Sequence, residues 1–254
     1  MAKRRTKAKP ATKPKAKASS LKLERISTGI PGLDDMLKGG FVKNSTVVVQ
    51  GGAGSAKTLM CLQYLYAGAT QYDEPGAILT FGEDEDAIRQ HGRMFNWDFS
   101  ALEKKKMFTV IRFSPSEIVK IIGEGGGIIR DTLEELGIRR LVIDSVSIYE
   151  LFFQNKYQAT ESILNLLDML KKWKITTLIT SEMQVKPNGE SKGNVEFLTD
   201  GVMHLYLLRT SAKRYRAIEV VKMRDTDHSS DIKLFEITPR GLVIPDGAGI
   251  KAKD

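Results

Sequence analysis

Residues 46–58 read TVVVQGGAGSAKT, and this segment is the strongest indication of the fold class. Thr46–Gln50 is an apolar run typical of a buried strand, and a helical pattern begins at Lys57 after a glycine-rich turn. Glycines let the backbone curl so that successive N–H groups point at phosphate oxygens, and the following helix adds its positive end. The pattern predicts a phosphate-binding loop formed by Gly52, Ala53, Gly54, Ser55, Ala56, Lys57, Thr58 and Leu59.

Two side chains of this loop predict its ligand. Lys57 is expected to reach the β- and γ-phosphates of ATP, where it assists catalysis, and the Thr58 hydroxyl is expected to coordinate Mg²⁺. The usual pattern has Gly at the position of Ala56. If that position needs a positive φ, alanine costs on the order of 1 kcal/mol relative to glycine. The sequence therefore predicts binding of ATP with Mg²⁺ and leaves the affinity open.

The rest of the chain alternates strand-like and helical segments from Leu21 onward. This order is typical of an α/β fold with a mostly parallel central sheet flanked by helices. Strands are predicted at Thr46–Gln50, Ala77–Phe81, Met107–Arg112, Arg140–Asp144 and Ile175–Thr180. Helices are predicted at Lys57–Gln71, at Ser116–Leu136 with a break near Gly123–Gly127, and at Thr160–Trp173.

The pattern changes after residue 200, where strand-like runs follow one another without helices. They are Gly201–Arg209, Arg214–Lys222, Ile232–Ile237 and Leu242–Ile244. Turn signals separate them, so we expect a C-terminal antiparallel β extension of the main sheet. Residues 21–246 are predicted to form one domain, followed by a flexible C-terminus at 247–254.

Two carboxylates follow predicted strands. Asp144 ends RLVID, and ligands of open α/β sheets collect at that edge, so Asp144 is expected to hold a water of the Mg²⁺ shell. Glu83 follows the strand Ala77–Phe81, which is expected to lie next to the phosphate-loop strand, and is the candidate general base. Alternatively, Asp144 is a turn residue and Glu83 only supplies a negative charge to the next helix.

The net charge of +8 is concentrated at the N-terminus. Residues 1–20 hold eight cations and no acid, and the remainder of the chain has equal numbers of basic and acidic residues. Such a segment buries too little apolar surface to fold, so residues 1–20 are predicted to be a disordered basic tail. The tail either binds nucleic acid or another polyanion, or is a solubilising extension.

Several classes of protein are excluded by composition. The single cysteine, Cys61, rules out an internal disulfide framework. No run approaches the roughly 20 apolar residues needed to cross a bilayer. The N-terminus lacks the apolar run of a secretory signal, so a cytoplasmic location is expected.

Six segments together resemble a known family. They are Ile26–Phe41 (ISTGIPGLDDMLKGGF), the phosphate loop, Phe95–Leu102 (FNWDFSAL), Ile143–Ser145 (IDS), Thr176–Glu182 (TTLITSE) and Lys222–Ser229 (KMRDTDHS). Their order resembles a single domain of the KaiC-like family of RecA-type ATPases, from about residue 22 to residue 245. The resemblance implies a RecA-like P-loop NTPase core, often assembled as a homohexameric ring with ATP between neighbouring subunits.

The last of these segments matters for such a ring. On a strand, Lys222 and Arg224 point to one face, where two cations can clamp a γ-phosphate. The resemblance implies that they reach the ATP of the adjacent subunit, with Thr226 and His228 nearby. Without the resemblance, these cations would be read as the solvated face of an edge strand.

Three functions stay open at this stage. The leading hypothesis is a slow Mg²⁺-dependent ATPase whose nucleotide state controls ring assembly or the binding of a still unknown protein partner. A catalytically weak nucleotide-binding sensor or scaffold is suggested by Ala56 and by Gly82, which stands where the family has a first glutamate before Glu83. A RecA- or RadA-like DNA-associated ATPase is the third, although the candidate loop Gln184–Phe197 has only two lysines against two glutamates. His91 and His204 are interpreted as surface or packing residues.

Overall fold

A computed structural model of the chain describes residues 23–183, 195–209, 211–247 and 249. The predicted basic tail (1–20) lies outside the described residues, as do most of the candidate loop 184–197 and most of the predicted C-terminal segment 247–254.

The described residues form short N-terminal elements followed by an α/β core. The strands are β1 (Arg25–Ile26), β2 (Phe41–Val42), β3 (Thr46–Gly51), β4 (Gly76–Thr80), β5 (Phe108–Arg112), β6 (Arg140–Asp144), β7 (Thr176–Glu182), β8 (Gly201–Arg209), β9 (Arg214–Met223), β10 (Lys233–Thr238) and β11 (Gly241–Val243). The helices are α1 (Leu33–Met36), α2 (Lys57–Gln71), α3 (Glu85–Arg93), α4 (Phe99–Lys104), α5 (Pro115–Gly123), α6 (Gly127–Glu135), α7 (Val146–Glu150), α8 (Lys156–Trp173) and α9 (Val195–Leu198). In this part of the chain, no helix is both long and apolar enough to span a bilayer.

The main sheet has the order β11-β10-β9-β8-β3-β7-β6-β4-β5 within the described residues. Strands β8 to β5 along this order pair in parallel, and β8, β9, β10 and β11 pair antiparallel. The predicted mostly parallel sheet with an antiparallel C-terminal extension is therefore confirmed. The extension begins one strand later than predicted, because β8 lies parallel to β3.

One predicted neighbour relation was wrong. The strand that precedes Glu83, β4, does not lie next to the phosphate-loop strand β3, because β7 and β6 stand between them. The connection from β3 to β4 runs from Gly52 to Pro75, and the 15 residues of α2 form its central part. It therefore carries the chain across two strand positions that later segments fill.

Helices cover both faces of the sheet. Val47 and Val49 of β3 pack in a core with α2, whereas Val48 points into a second core formed with α5, α6 and α8. The predicted break in the helix 116–136 is present, since α5 ends at Gly123 and α6 begins at Gly127. Gly125 and Gly126 between them have φ of 87° and 68°, conformations that favour glycine.

Arg140 holds the edge of the sheet remote from the phosphate loop. Its side chain is 0 % exposed and donates from Nε to Glu74 Oε2 at 2.6 Å. The guanidinium also donates to the carbonyls of Tyr64 and Ser27 and lies 4.5 Å from the centre of the Tyr64 ring. Arg140 thus ties β6 to α2 and to the N-terminal segment.

Candidate nucleotide-binding site

The phosphate loop joins the end of β3 to the start of α2. Ala56 precedes the helix with φ of 78°, and Gly54 has φ of 76°. The N–H of Ser55 donates to the carbonyl of Gly52 at 3.2 Å, which closes the turn. Ala56 therefore occupies a left-handed conformation that a glycine would adopt without strain.

Lys57 lies inside this loop. Its side chain is buried, and Nζ donates to the carbonyls of Gly51 at 2.9 Å and Gly52 at 3.2 Å. Among the described residues, no carboxylate forms an ion pair with Lys57. A buried charge without a counter-charge is costly, so the loop fits an anionic ligand.

Thr58 and Asp144 meet at the same edge of the sheet. The Thr58 hydroxyl donates to Asp144 Oδ2 at 2.7 Å, and the Thr180 hydroxyl donates to Asp144 Oδ1 at 2.5 Å. Helix α2 and strands β6 and β7 thus place a hydroxyl and a carboxylate together. These are the oxygen donors that Mg²⁺ prefers, so the predicted metal residues fit the ion.

Glu83 lies just beyond β4. Its side chain is 42 % exposed as a whole, but Oε2 is shielded from solvent and makes no hydrogen bond. Burial raises the pKa of Glu83 above its usual value, the charge of His91 opposes that change, and Asp144 and Asp84 add to it. A carboxylate with a raised pKa is better matched to accepting a proton near neutral pH.

Asp84, not Glu83, caps the next helix. The Asp84 side chain accepts a hydrogen bond from the N–H of Ala87 at 2.7 Å, whereas Glu83 is anchored through its own N–H to the Thr80 hydroxyl at 3.1 Å. Asp84 is thus the capping residue, and the alternative that Glu83 only supplies a negative charge to α3 remains a prediction.

A cavity of about 520 Å³ opens beside the loop. Its apolar wall comes from Leu59, Leu62, Met94, Phe95 and Ile237, and its polar lining includes Gly54, Thr58, His91 and Arg216. Sequence reasoning missed two of these residues. Arg216 donates from Nε to the Gly54 carbonyl at 3.3 Å, and His91 Nδ1 lies 3.6 Å from Glu83 Oε2. His91 is therefore not an ordinary surface residue, since helix α3 turns it into the cavity.

His204, the other histidine interpreted from the sequence, has a packing role. His204 is buried and lies within hydrogen-bond distance of Gln50 Oε1 and of the Tyr206 hydroxyl. Burial lowers the pKa of His204, and Glu219 opposes that change. The prediction of a packing residue agrees with this environment.

Lys222 and Arg224 lie far from the phosphate loop of their own chain. Lys222 pairs with Val202, which in turn pairs with Val48 near the start of β3. This places Lys222 roughly 10 Å along the strands and two strands, about 10 Å, across from the loop. The structure does not bring these cations together with Lys57 in one chain.

Both cations have partners within the chain. Lys222 Nζ donates to the carbonyls of Thr199 at 2.6 Å and Glu196 at 3.1 Å, and Arg224 pairs with Asp200 at 3.2 Å. Desolvation lowers the pKa of Lys222, Arg224 lowers it further, and Asp200 opposes both.

Thr226 and His228 follow on the same segment. The Thr226 hydroxyl accepts from Arg25 at 3.0 Å, and His228 Nδ1 lies 2.9 Å from the Ser229 carbonyl. The segment is thus fixed against the N-terminal strands.

Comparisons with known proteins identify the family of the chain. A family model described as "ATPase: KaiC" matches residues 26–248. A UPF0273 protein of Methanocaldococcus jannaschii is 29 % identical over 242 residues, which cover 88 % of this chain and 98 % of that protein. A UPF0273 protein of Aeropyrum pernix is 31 % identical, with 88 % and 95 % covered.

A solved structure is similar as well. The crystal structure of a KaiC-like protein from the hyperthermophilic archaeon Pyrococcus horikoshii superposes with a TM-score of 0.79 at 32 % identity, covering 88 % of this chain and 99 % of that one. The family model spans most of the chain and includes the phosphate loop, Glu83, Asp144 and the segment 222–228. The chain therefore belongs to the KaiC family of RecA-like P-loop ATPase domains.

Proposed function

We propose that this protein binds ATP with Mg²⁺ in the loop at Lys57 and hydrolyses it slowly. The observation that carries the proposal is the buried Lys57 ammonium, which is held by two carbonyls and has no ion-pair partner in the described structure. The β- and γ-phosphates supply that counter-charge. The adjacent cavity receives the base against Leu59, Met94 and Phe95.

Thr58 and Asp144 are the residues that would hold the metal, Thr58 directly and Asp144 through a water. When bound, Mg²⁺ neutralises charge on the phosphate oxygens. Thr180 fixes the Asp144 carboxylate from the far side and leaves Oδ2 facing Thr58. The two oxygens that the metal requires are therefore already oriented by protein groups.

Glu83 serves as the general base. A water oxygen attacks the γ-phosphorus, the bond to the β,γ-bridging oxygen breaks, and the water proton passes to the Glu83 carboxylate as ADP leaves. The raised pKa of Glu83 suits this transfer. Lys57 stabilises the charge that develops on the transferred phosphoryl group.

The position of Lys222 and Arg224 supports a head-to-tail assembly, which we propose is a hexameric ring. Since these cations lie at the opposite edge of the sheet from their own loop, a γ-phosphate reaches them only across a subunit boundary. Heterologous contacts of this kind form a ring when the rotation between neighbours closes, and an open filament when it does not. The nucleotide state would then change subunit packing, and a protein partner would respond to that packing.

A second function is favoured by two positions. Ala56 has a φ of 78°, and Gly82 leaves the chain without the first glutamate of the family pattern, beside Ile148 Cδ1, which a Cβ there would meet at 3.1 Å. Both features favour a sensor or scaffold that binds nucleotide with negligible turnover. The two functions differ only in hydrolysis.

ATP hydrolysis by the purified protein tests both. The ATPase hypothesis predicts phosphate release that requires Mg²⁺, rises with protein concentration and disappears in Lys57→Ala and Glu83→Gln. Glu83→Gln keeps its ATP affinity, because Glu83 does not contact the loop. Tight ATP binding without turnover at any concentration would leave the sensor as the function, and absence of ATP binding would contradict both.

A further inference from the structure

The β8–β9 hairpin projects beyond the edge of the sheet at which the phosphate loop lies. Gly51, the last residue of β3, pairs with Leu205, and β8 continues to Arg209 before β9 returns from Arg214. Four further residues extend this hairpin by about 13 Å. Its end therefore stands free of the neighbouring strand β3.

Three arginines share one face of this hairpin. Leu205 and Ile218 point into the core that contains α2, and alternation places Arg209, Arg214 and Arg216 on that same face. Arg209 and Arg214 are directly opposite each other in the register, and both are exposed. Like charges in directly opposed positions destabilise a strand pair, so the fold gains nothing from this placement.

The segment of the hairpin between Gly201 and Ile218 supplies no counter-charge to these arginines. The sequence has no acidic residue between Gly201 and Ile218. None of the three arginines has an ion-pair partner in the described part of the chain. Arg216 contacts the Gly54 carbonyl, and from there the row leads away from the phosphate loop.

We propose that this arginine row, Arg209, Arg214 and Arg216, binds the phosphodiester backbone of nucleic acid. Guanidinium groups match phosphate oxygens with two parallel hydrogen bonds, which ammonium groups do not. Tyr215, between Arg214 and Arg216 in β9, points to the opposite face of the hairpin, so the row itself offers only guanidinium groups.

ATP alone does not explain the row. Lys57 and Thr58 account for the phosphates of ATP. Arg209 lies on the neighbouring strand β8, opposite Arg214, which is two residues farther from the phosphate loop than Arg216. Arg209 and Arg214 are therefore left for phosphates other than those of an ATP held at Lys57.

The test measures binding of a fluorescent oligothymidylate to the full chain at several salt concentrations, without ATP. Each backbone cation contributes about 0.7 to the slope of log K against log salt for a single strand. Arg209→Gln/Arg214→Gln should reduce the magnitude of this slope by about 1.4. Between ~50 and ~200 mM salt, the loss of affinity of the variant should therefore be about 7-fold smaller than the loss of affinity of the wild type. Lys171→Gln/Lys172→Gln removes two exposed charges from α8 and should keep the wild-type slope.

Three results would overturn the proposal. They are no binding by the wild type at low salt, an unchanged slope in the arginine variant, and equal arginine-dependent binding of polyglutamate, which would identify an acidic protein as the partner. If the double variant does not fold, Arg214→Gln alone should reduce the slope by about 0.7. Because no measurement here uses ATP, the outcome is independent of the proposed ATPase function.

Discussion

Replacing Ala56 by Gly should stabilise the protein. Ala56 has φ of 78° and ψ of 27°, a left-handed conformation that costs an alanine about 1–2 kcal/mol. Glycine is free of this cost, but the unfolded chain gains entropy that opposes the change by about 0.5–1 kcal/mol. The expected net gain is therefore about 0.5–1 kcal/mol, a rise in Tm of about 2–4 °C per kcal/mol for a chain of this size.

Urea unfolding of the nucleotide-free protein measures this gain as a shift of the midpoint at constant m value. The matched control is Ala53→Gly, three residues earlier in the same loop, where the residue is exposed and φ is not positive. Ala53→Gly should be neutral or destabilising by up to about 1 kcal/mol. If both variants lose the same stability, the conformation assigned to Ala56 does not determine the effect.

Three further changes test the site and its support. His91→Asn should move the acid limb of the pH–rate profile to higher pH, because the charge of His91 lowers the pKa of Glu83 and the base must be ionised to act. An unchanged acid limb would show that His91 does not influence the ionisation of Glu83. Arg216→Gln should weaken ATP binding about 10-fold in calorimetry, because roughly one hydrogen bond from a charged group is lost. Unchanged affinity would show that Arg216 does not contribute to ATP binding. Arg140→Met should destabilise the fold by about 3 kcal/mol because Glu74 loses its buried partner, whereas exposed Arg139→Met should stay within about 0.5 kcal/mol in the same unfolding assay.

The sequence predicted the central strands because their residues are locally decisive. The core strands β3 and β6 are apolar runs of the right length, and the glycine-rich turn fixed where α2 begins. Thr58 and Asp144 were paired in advance, because one motif specifies the hydroxyl and the end of a buried strand specifies the carboxylate. Their hydrogen bond agrees with that pairing.

The rest depended on contacts between distant segments. β4 is separated from β3 because β6 and β7, which come later in the chain, insert between them. No local sequence pattern encodes this insertion. Arg216 reaches Gly54 only because β9 pairs with β8 beside the loop, and in sequence it is one cation among several. The helical phase of α3 would have been the only signal for His91. The sequence marked Arg140 only as the start of a strand, because its partners Glu74, Tyr64 and Ser27 come from distant segments.

The N-terminal elements were missed for a different reason. β1, α1 and β2 have two, four and two residues, too short for a periodic pattern to emerge. They are held by Arg25, which donates to the carbonyls of Leu37 and Gly40, and by the segment around Thr226.

We propose that each ATP is hydrolysed by Glu83 of one subunit with Arg224 of the next. Glu83→Gln and Arg224→Ala should each abolish turnover alone, and Arg224 is exposed enough for its loss to leave the fold intact. Mixing the two inactive variants in equal amounts under exchange conditions should restore about a quarter of the wild-type rate, since random neighbours in a ring rebuild that share of intact sites. A mixture as inactive as its components, or full activity in Arg224→Ala, would contradict catalysis shared between subunits.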